Sequence, residues 1–520
     1  AAGRAPGGTV QRLRIGTRGS PLALAQSRIV ATALRRLDRG LAVDLVTVAT
    51  RGDADRTTPL TDVRDPGFFS AELDEALLAG DVDACVHSLK DLPPLRHPGI
   101  QRAALPPRAD PRDVIVWRGD VPGRIAAGGP LRIGSSSVRR QGNVADCLAW
   151  ALPAGRPVQL AFAPVRGPVD GRLARLHLPT ADPAALDGVV LALAGLARLW
   201  DDPAGQAILE PLLAGVRWTV LPLGQCPAAA GQGVLAVECR AGDGLALALL
   251  RGLHDPRTAE LVAAEESALA TVPTADRPAF GATAVLHAEL GPVCFVRGTG
   301  AAGPAGWLVW NRPPAPAGPA TGFDGIAWQR ACTRQPAGPQ PDLERLRPGA
   351  AVFAAYWHAL EQQVIPAGVR LWTSGVESWR RLAARGHWVE GCGDNLGFDA
   401  LRATLATPVL GLPPLREWTA LTYRWALPGW RAAGIGRVLA TYDILPPADA
   451  ATIAELEAAA AGATHCYWSS AEQYLALRTA VAASAHHACG AGKTLASLRA
   501  AGLDPQPFPN GREWQRWLQA

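Results

Sequence analysis

The sequence predicts an α/β protein, and three observations carry that prediction. Short apolar runs of strand length alternate with amphipathic helical stretches between residues 12 and 107; the alternation resumes at 113–202 and appears again, twice over, in 351–520. Parallel neighbours in a sheet need a crossover between them, so this alternation calls for mainly parallel sheets covered by helices. A chain of 520 residues is too long for one hydrophobic core, and about three or four domains are expected.

In order, Leu13–Gly16 reads as a strand and Ser20–Leu37 as a helix, with Ser20 at its cap and Pro21 at its first position. Arg18 and Ser20 then fall on a strand-to-helix turn, where free N–H groups and the helix dipole favour an anion. Capping accounts for Ser20 and leaves Arg18 unexplained. Ala42–Thr50 is a second strand, Phe69–Leu78 a helix and Asp83–Leu89 a third strand, stopped by Pro93-Pro94. Lys90 and Asp91 stand at the C-terminal end of that strand, where open α/β sheets line their ligand crevice. A carboxylate there can stabilise a developing cation or carry a proton, and the ammonium beside it keeps it ionised. An ordinary surface ion pair is the alternative for this stretch taken alone.

Leu131–Gly134 opens the next unit as a strand, and Ser135-Ser136-Ser137 turns into a helix with Arg139 and Arg140 in its first turns. Cations oppose the macrodipole at a helix start, a cost that an anionic ligand would offset. Arg166 and Arg172 follow on a loop and a helix, and Gly188–Leu199 reads as a buried strand passing into a short helix. The Gly-rich stretch at Gly231-Gln232-Gly233 lacks the GK[ST] of a phosphate loop, so no nucleotide is expected. Residues 241–310 read as a small α+β domain, with helix Ala259–Ala270 and strands at Ala282–Glu289 and Val293–Arg297.

Pro and Gly thicken over 312–325 and 335–348, as in a linker. The last module reads as strand Val369–Thr373, helix Ser374–Arg385, strand Trp388–Val389 and a turn at Gly391–Asn395. Strand Arg437–Tyr442, helix Ala448–Ala460, strand Thr464–Trp468, helix Ser470–Val481 and helix Thr494–Ala500 follow.

Composition narrows the function classes. A net charge of +5 is too small an excess to indicate nucleic acid binding. Only Lys90 and Lys493 are lysines; the other cations are Arg, whose planar fork suits a polyacidic ligand, although a GC-rich coding bias explains most of them. Nine Cys without metal-ligand spacing fit a reducing compartment rather than a disulfide framework. His486, His487 and Cys489 have no second cluster, so no metal is expected. Gly492-Lys493-Thr494 fails as a phosphate loop because His487 stands where its first Gly belongs. No apolar run has the length of a membrane span and no signal-type segment opens the chain. A location inside the cell is therefore expected, in the cytoplasm or, in a eukaryote, the plastid stroma or mitochondrial matrix. The chain contains no Met, and Ala1–Gly8 reads as a leader remnant or tail.

Seven stretches stand in a telling order: Ile15–Gln26, Thr50-Arg51-Gly52-Asp53, Val86–Pro93, Ala109–Asp113, Ile133–Gln141, Val165-Arg166-Gly167 and Ala230-Gly231-Gln232-Gly233. In this order and at these separations they resemble hydroxymethylbilane synthase, also called porphobilinogen deaminase, over roughly residues 12 to 300. The resemblance implies two hinge-linked α/β domains of the periplasmic-binding-protein kind, 12–111 with 206–240 and 112–205. A small α+β domain at 241–311, a linker at 312–350 and a further module at 351–520 complete the division. It implies head-to-tail condensation of porphobilinogen with loss of ammonia, in tetrapyrrole biosynthesis. Asp91 matches the acid that stabilises the cationic azafulvene-like pyrrole. Arg18, Arg139, Arg140, Arg166, Arg172, Ser136 and Ser137 match positions that bind the substrate carboxylates, Lys90 pairs with another, and Ser20, Gln26 and Ser88 lie in the same binding motifs.

The sequence also departs from that family. The family's Cys in a Gly-Gly-Cys-x-x-Pro loop holds a dipyrromethane cofactor by a thioether; here the loop is Pro273–Gly281, and Ala275 or Asp276 fills the Cys position. Cys226, Cys239 and Cys294 are not obvious substitutes. The family's Gly-Gly-Lys-Gly-Leu-Phe reads Arg64–Phe69, with Pro66 for the Lys and Ala71 for a second Lys, and its Arg-Gly-Asn reads Arg166-Gly167-Pro168. A homologue that has lost the condensation and serves as a scaffold or assembly subunit, with only the C-terminal module or neither active, is the alternative.

Leu371-Trp372-Thr373-Ser374 and Tyr467-Trp468-Ser469-Ser470 occupy equivalent turns of the last module. With Tyr442 and Ala488-Cys489-Gly490 they resemble uroporphyrinogen-III synthase, a two-lobed α/β enzyme that cyclises the deaminase product. Thr373, Ser374, Tyr442, Ser469 and Ser470 are its candidate residues here.

Overall fold

The computed structural model describes residues 12–50, 70–153, 155, 158–361 and 363–520. Ala1–Gly8, Arg51-Gly52-Asp53 and the Arg64–Phe69 segment lie outside them. The architecture is mixed α/β with several sheets. Contacts divide the chain into one unit of residues 1–147, 158–284 and 294–307 and another of 148–157, 285–293 and 308–520.

Ten strands build the two large sheets of the first unit: β1 (Arg12–Thr17), β2 (Ala42–Thr47), β3 (Ala84–Ser88), β4 (Ile100–Ala104), β5 (Asp113–Trp117), β6 (Leu131–Gly134), β7 (Leu160–Ala163), β8 (Gly188–Ala192), β9 (Arg217–Val220) and β10 (Leu235–Arg240). The orders are β2-β1-β3-β10-β4 and β7-β6-β8-β5-β9. β1 runs parallel to β2 and β3, and β6 parallel to β7 and β8. Each sheet carries one reversed strand: β10 is antiparallel to β3 and β4, and β5 to β8 and β9. The chain therefore passes from the first sheet to the second after β4 and returns between β9 and β10. In β5, Val114, Ile115, Val116 and Trp117 are all buried, as a strand covered on both faces requires.

Helix Pro21–Leu37 starts where expected, with the Ser20 Oγ accepting from the Ala23 N–H at 3.3 Å. Its Val30, Ala31 and Leu34 pack with Leu13 and Ile15 of β1. A small sheet of β11 (Phe280–His287), β12 (Gly291–Gly300) and β13 (Gly303–Trp310) follows helix Pro256–Ala270. β13 was not foreseen, because its opening Gly-Pro-Ala-Gly carries no strand pattern.

The second unit holds two further sheets. Their strands are β14 (Gly322–Phe323), β15 (Thr333–Pro336), β16 (Ala351–Ala354), β17 (Arg370–Thr373), β18 (Val389–Cys392), β19 (Thr419–Tyr423), β20 (Arg437–Leu445), β21 (His465–Trp468), β22 (His486–Gly490) and β23 (Gln506–Phe508). The orders are β15-β20-β19-β16-β17-β18 and β14-β21-β22-β23. Only β15 runs against its neighbour. The expected linker at 312–350 is thus corrected: it supplies helix Ile326–Ala331 and an edge strand to each sheet. β14 has only two residues and β15 ends in Pro, which an edge tolerates, so neither left a strand signature. No described helix is long and apolar enough to cross a membrane.

Candidate active site

The site is built at the end of β3. Ala84, Cys85, Val86 and His87 are buried, and the chain then tightens into a single 3-10 turn over Leu89–Asp91, closed by the Leu92 N–H on the Leu89 carbonyl. Leu89 anchors the turn: its side chain is buried and its N–H donates to the Val234 carbonyl at 3.0 Å. Lys90 and Asp91 are thereby held side by side. Lys90 Nζ donates to Gln232 Oε1 at 2.9 Å. Burial pushes the ammonium down to about 8; Asp91 and Asp113 oppose the shift, and Arg140 and Arg139 add to it. Asp91 is exposed, and among the described residues no hydrogen bond or ion pair ties its carboxylate.

The second wall starts at the end of β6. Ser136 Oγ donates to the Val165 carbonyl at 2.9 Å and accepts from the Val165 N–H at 3.0 Å, stitching the helix start to the Arg166 loop. Ser137 Oγ accepts from the Arg140 N–H at 3.4 Å. Arg139 and Arg140 both turn onto Asp113, the first residue of β5, at 3.0 and 2.7 Å. Arg139 also donates to the Pro227 carbonyl at 2.6 Å. Burial alone would raise the Asp113 carboxyl, but Arg140 and Arg139 outweigh it and hold it far below the carboxylate range. The expectation that an anionic ligand offsets these two cations is corrected in part. Asp113 already offsets one of the two charges, through contacts between distant positions that no local motif announces.

Arg172, on helix Val169–Ala174, donates from Nε to the Gly167 carbonyl at 2.9 Å. Gly167 turns that carbonyl inward with φ +90, a conformation side chains disfavour. Burial brings Arg172 down to about 10, helped by Arg140 and Arg166 and opposed by Asp91. Arg140, Arg166, Arg172, Lys90 and Asp91 therefore share one field. The charge of Arg18 is felt at His87, as is that of Asp91. Ser20, Gln26 and Ser88 do structural work: Ser20 caps its helix, and Gln26 Nε2 donates to Ser88 Oγ at 2.9 Å, pinning that helix to the end of β3.

Behind the site, Asp74, His87 and Glu238 place their ligand atoms within 4.8 Å of one another. Arg96 bridges both carboxylates, at 2.7 Å to Asp74 and 2.6 Å to Glu238, so a guanidinium already takes the place a metal cation would fill. Burial, then Arg96, lowers His87 to about 4 and keeps it neutral.

The loop Pro273–Gly281 does not fit a thioether-held dipyrromethane. Ala275 and Asp276 offer no sulfur, Asp276 Oδ1 accepts from the Ala301 N–H at 3.2 Å, and Arg277 closes the loop on the Val272 and Ala270 carbonyls. All nine thiols are buried. Cys226 donates to the Asn143 carbonyl at 3.3 Å; burial raises its pKa, raises that of Cys239 and pushes Cys294 up to about 12. The thiolate is the nucleophile, and none is presented here. The charges of Lys90, Arg140, Arg166 and Arg172, which share one field, are of the sign that would suit the carboxylates of an acidic pyrrole.

In the second unit, the candidate hydroxyls are engaged locally. Thr373 Oγ1 donates to the Ala354 carbonyl and Ser374 Oγ to the Ala355 carbonyl, both at 2.7 Å. Ser470 caps helix Ala471–Leu477 through the Gln473 N–H, and Ser469 Oγ donates to Gln473 Oε1 at 2.9 Å. Tyr442 lies in β20 beside Tyr423 and His358, and burial raises its hydroxyl above the usual range. Lys493 Nζ donates to the Gly429 carbonyl at 2.9 Å and stands 3.5 Å over the Trp430 ring.

Residues 13–248 match the family model described as porphobilinogen deaminase, dipyromethane cofactor binding domain. Porphobilinogen deaminase of Roseiflexus castenholzii is 39% identical over 279 residues, which are 53% of this chain and 82% of that protein. Porphobilinogen deaminase 1 of Streptomyces coelicolor is 40% identical over 283 residues, 54% of this chain and 80% of its own. Among solved structures, full-length BenM covers 47% of this chain and 68% of its own at 15% identity, with a TM-score of 0.26, too weak a likeness to carry an argument.

Proposed function

Because the chain belongs to the porphobilinogen deaminase family, we propose that its first unit binds porphobilinogen and joins such units head to tail with loss of ammonia, a step of tetrapyrrole biosynthesis that yields hydroxymethylbilane. The observation that carries this reading is the carboxylate of Asp91, exposed and untied among the described residues, beside Lys90 and in the field of Arg172. Porphobilinogen brings acetate and propionate groups, which the cations of the second wall can pair with. Its aminomethyl C–N bond breaks as ammonia leaves, and the ring becomes a cation conjugated to the methylene. Asp91 stabilises that charge without reorganisation. The unsubstituted ring carbon of the next pyrrole then attacks the methylene, and the proton it sheds passes to a base, a role we assign to Asp91; at the end of the pyrrole chain water adds to the last methylene cation and loses a proton, which supplies the hydroxymethyl group. None of these steps is assigned to a sulfur-bound group.

Asp91→Asn keeps size and removes the charge. Porphobilinogen depletion by the purified chain is expected to slow about a hundredfold or more while substrate affinity changes little; undiminished turnover would refute the role. The buried thiols favour a second reading, a degenerate homologue acting as scaffold or assembly subunit; retained affinity for porphobilinogen with no depletion would support it. For the second unit we propose a uroporphyrinogen-III synthase-like cyclisation. Its support is the pair of mainly parallel sheets with Thr373-Ser374 and Ser469-Ser470 at equivalent strand ends. Incubation with hydroxymethylbilane should give the cyclised isomer with the last ring inverted, and formation of only the uninverted isomer would exclude it.

A further inference from the structure

The segment that returns the chain to the first sheet contains one side chain that the reaction above does not use. Gln232 is fully buried. Gly231 and Gly233 on either side have φ +71 and +84, and a Cβ at Gly233 would stand 2.4 Å from the Ala109 carbonyl. Two left-handed glycines thus reverse the backbone around this one residue. The turn is bolted down: the Gly231 N–H donates to Glu265 at 2.7 Å, Arg108 Nε donates to the Gln232 carbonyl at 2.9 Å, and Arg198 Nη2 to the Gly233 carbonyl at 2.6 Å.

The amide this turn presents is polarised at both ends. Oε1 accepts from Lys90 Nζ at 2.9 Å, and Nε2 donates to Asp113 Oδ1 at 2.8 Å and to the Pro111 carbonyl at 2.7 Å. A flipped amide would put N–H groups against an ammonium and oxygen against a carboxylate, so its charged partners fix its orientation. We propose that Gln232 is a positioning residue for anion binding: it joins Lys90 at the end of β3 to Asp113, which holds Arg139 and Arg140, and does so without adding charge. Lys90, Arg139 and Arg140 stand against two carboxylates, Asp91 beside Lys90 and Asp113 under the arginines, which leaves one positive charge over for ligand carboxylates. A Glu in its place would offset that surplus. The inference rests on the proposed binding of porphobilinogen for its purpose, and on this geometry for its mechanism.

The test uses Gln232→Glu and Gln232→Leu in the full chain, checked for folding by thermal melting, with calorimetric porphobilinogen binding across pH. The carboxyl introduced by Gln232→Glu lies beside Asp113 and Lys90. Ionised at about pH 8, it should lower affinity about tenfold. Protonated toward about pH 5, it again accepts from Lys90 and donates to Asp113, so its deficit relative to the unsubstituted chain should close. Gln232→Leu can do neither and should keep its deficit at every pH. Only two lysines are present, so nitrogen-labelled lysine NMR can follow Lys90 directly; its midpoint should rise by about one unit or more in Gln232→Glu. An unmoved Lys90, or equal pH-independent losses in both variants, would overturn the inference. Failure of the unsubstituted chain to bind porphobilinogen would refute the proposed function instead, and the Lys90 titration would still decide whether Gln232 sets that cation.

Discussion

A buried carboxylate and a half-buried ammonium define the site at the scale of single residues. Asp113 lies between Arg139 and Arg140 with its folded pKa far below the ordinary value. Because that pKa is depressed, its contribution to stability is full above about pH 4 and is lost as pH falls below it. Asp113→Ala leaves the buried Arg139 and the half-buried Arg140 without their anion and should cost about 3–5 kcal/mol in urea unfolding at neutral pH; a loss under about 1 kcal/mol would mean that solvent already balances them. Lys90 is the opposite case, lowered to about 8 by burial. Its charge is present below that value and disappears as pH rises through it, so porphobilinogen affinity should fall through about pH 8. Lys90→Gln should flatten that part of the profile. The cations were legible in the sequence as basic residues at a helix start. Asp113 and Gln232 stood within the motifs, but their partners lie on other strands and turns, and only folding brings them together.

Single elements aim these charges, and here the sequence was most readable where capping and turn chemistry mark an element's ends. Helix Pro21–Leu37 carries Ser20 and Pro21 at its start, so local chemistry specified it, whereas β5, buried along its length, was not read as a strand. β16 and β19 passed unread, since each is an apolar run of only four or five residues that periodicity alone does not distinguish from a buried helix segment. Gly167 illustrates what an element end contributes. Its φ of +90 directs its carbonyl to Arg172, so Gly167→Ala should strain the turn by about 1–2 kcal/mol. Porphobilinogen affinity should then fall more than the melting temperature suggests, and a parallel small change in both would show that Arg172 does not depend on the turn.

Across the whole molecule, chain connectivity matters more than composition. The Pro- and Gly-rich stretch that reads as a linker is woven into two sheets, and Phe323 and Trp328 from it are buried with Trp468, Cys466 and Leu477. Phe323→Ala should therefore destabilise the second unit by about 3–5 kcal/mol, visible as a lowered unfolding midpoint; a true linker residue would change nothing. In the first unit, the return of the chain through Gly231-Gln232-Gly233 couples the β3 end to the wall of arginines. The site thereby brings Lys90, Asp91 and the second wall's cations into one field, while all nine thiols are buried. Mass spectrometry of one sample of the full chain after exposure to porphobilinogen tests that combination most directly. Sprayed from native buffer, the chain should carry adducts of pyrrole units; denatured, it should return to its sequence mass. Pyrrole steps that survive denaturation would show a covalent anchor and contradict the account at the loop, and no adduct under either condition would contradict it at the site.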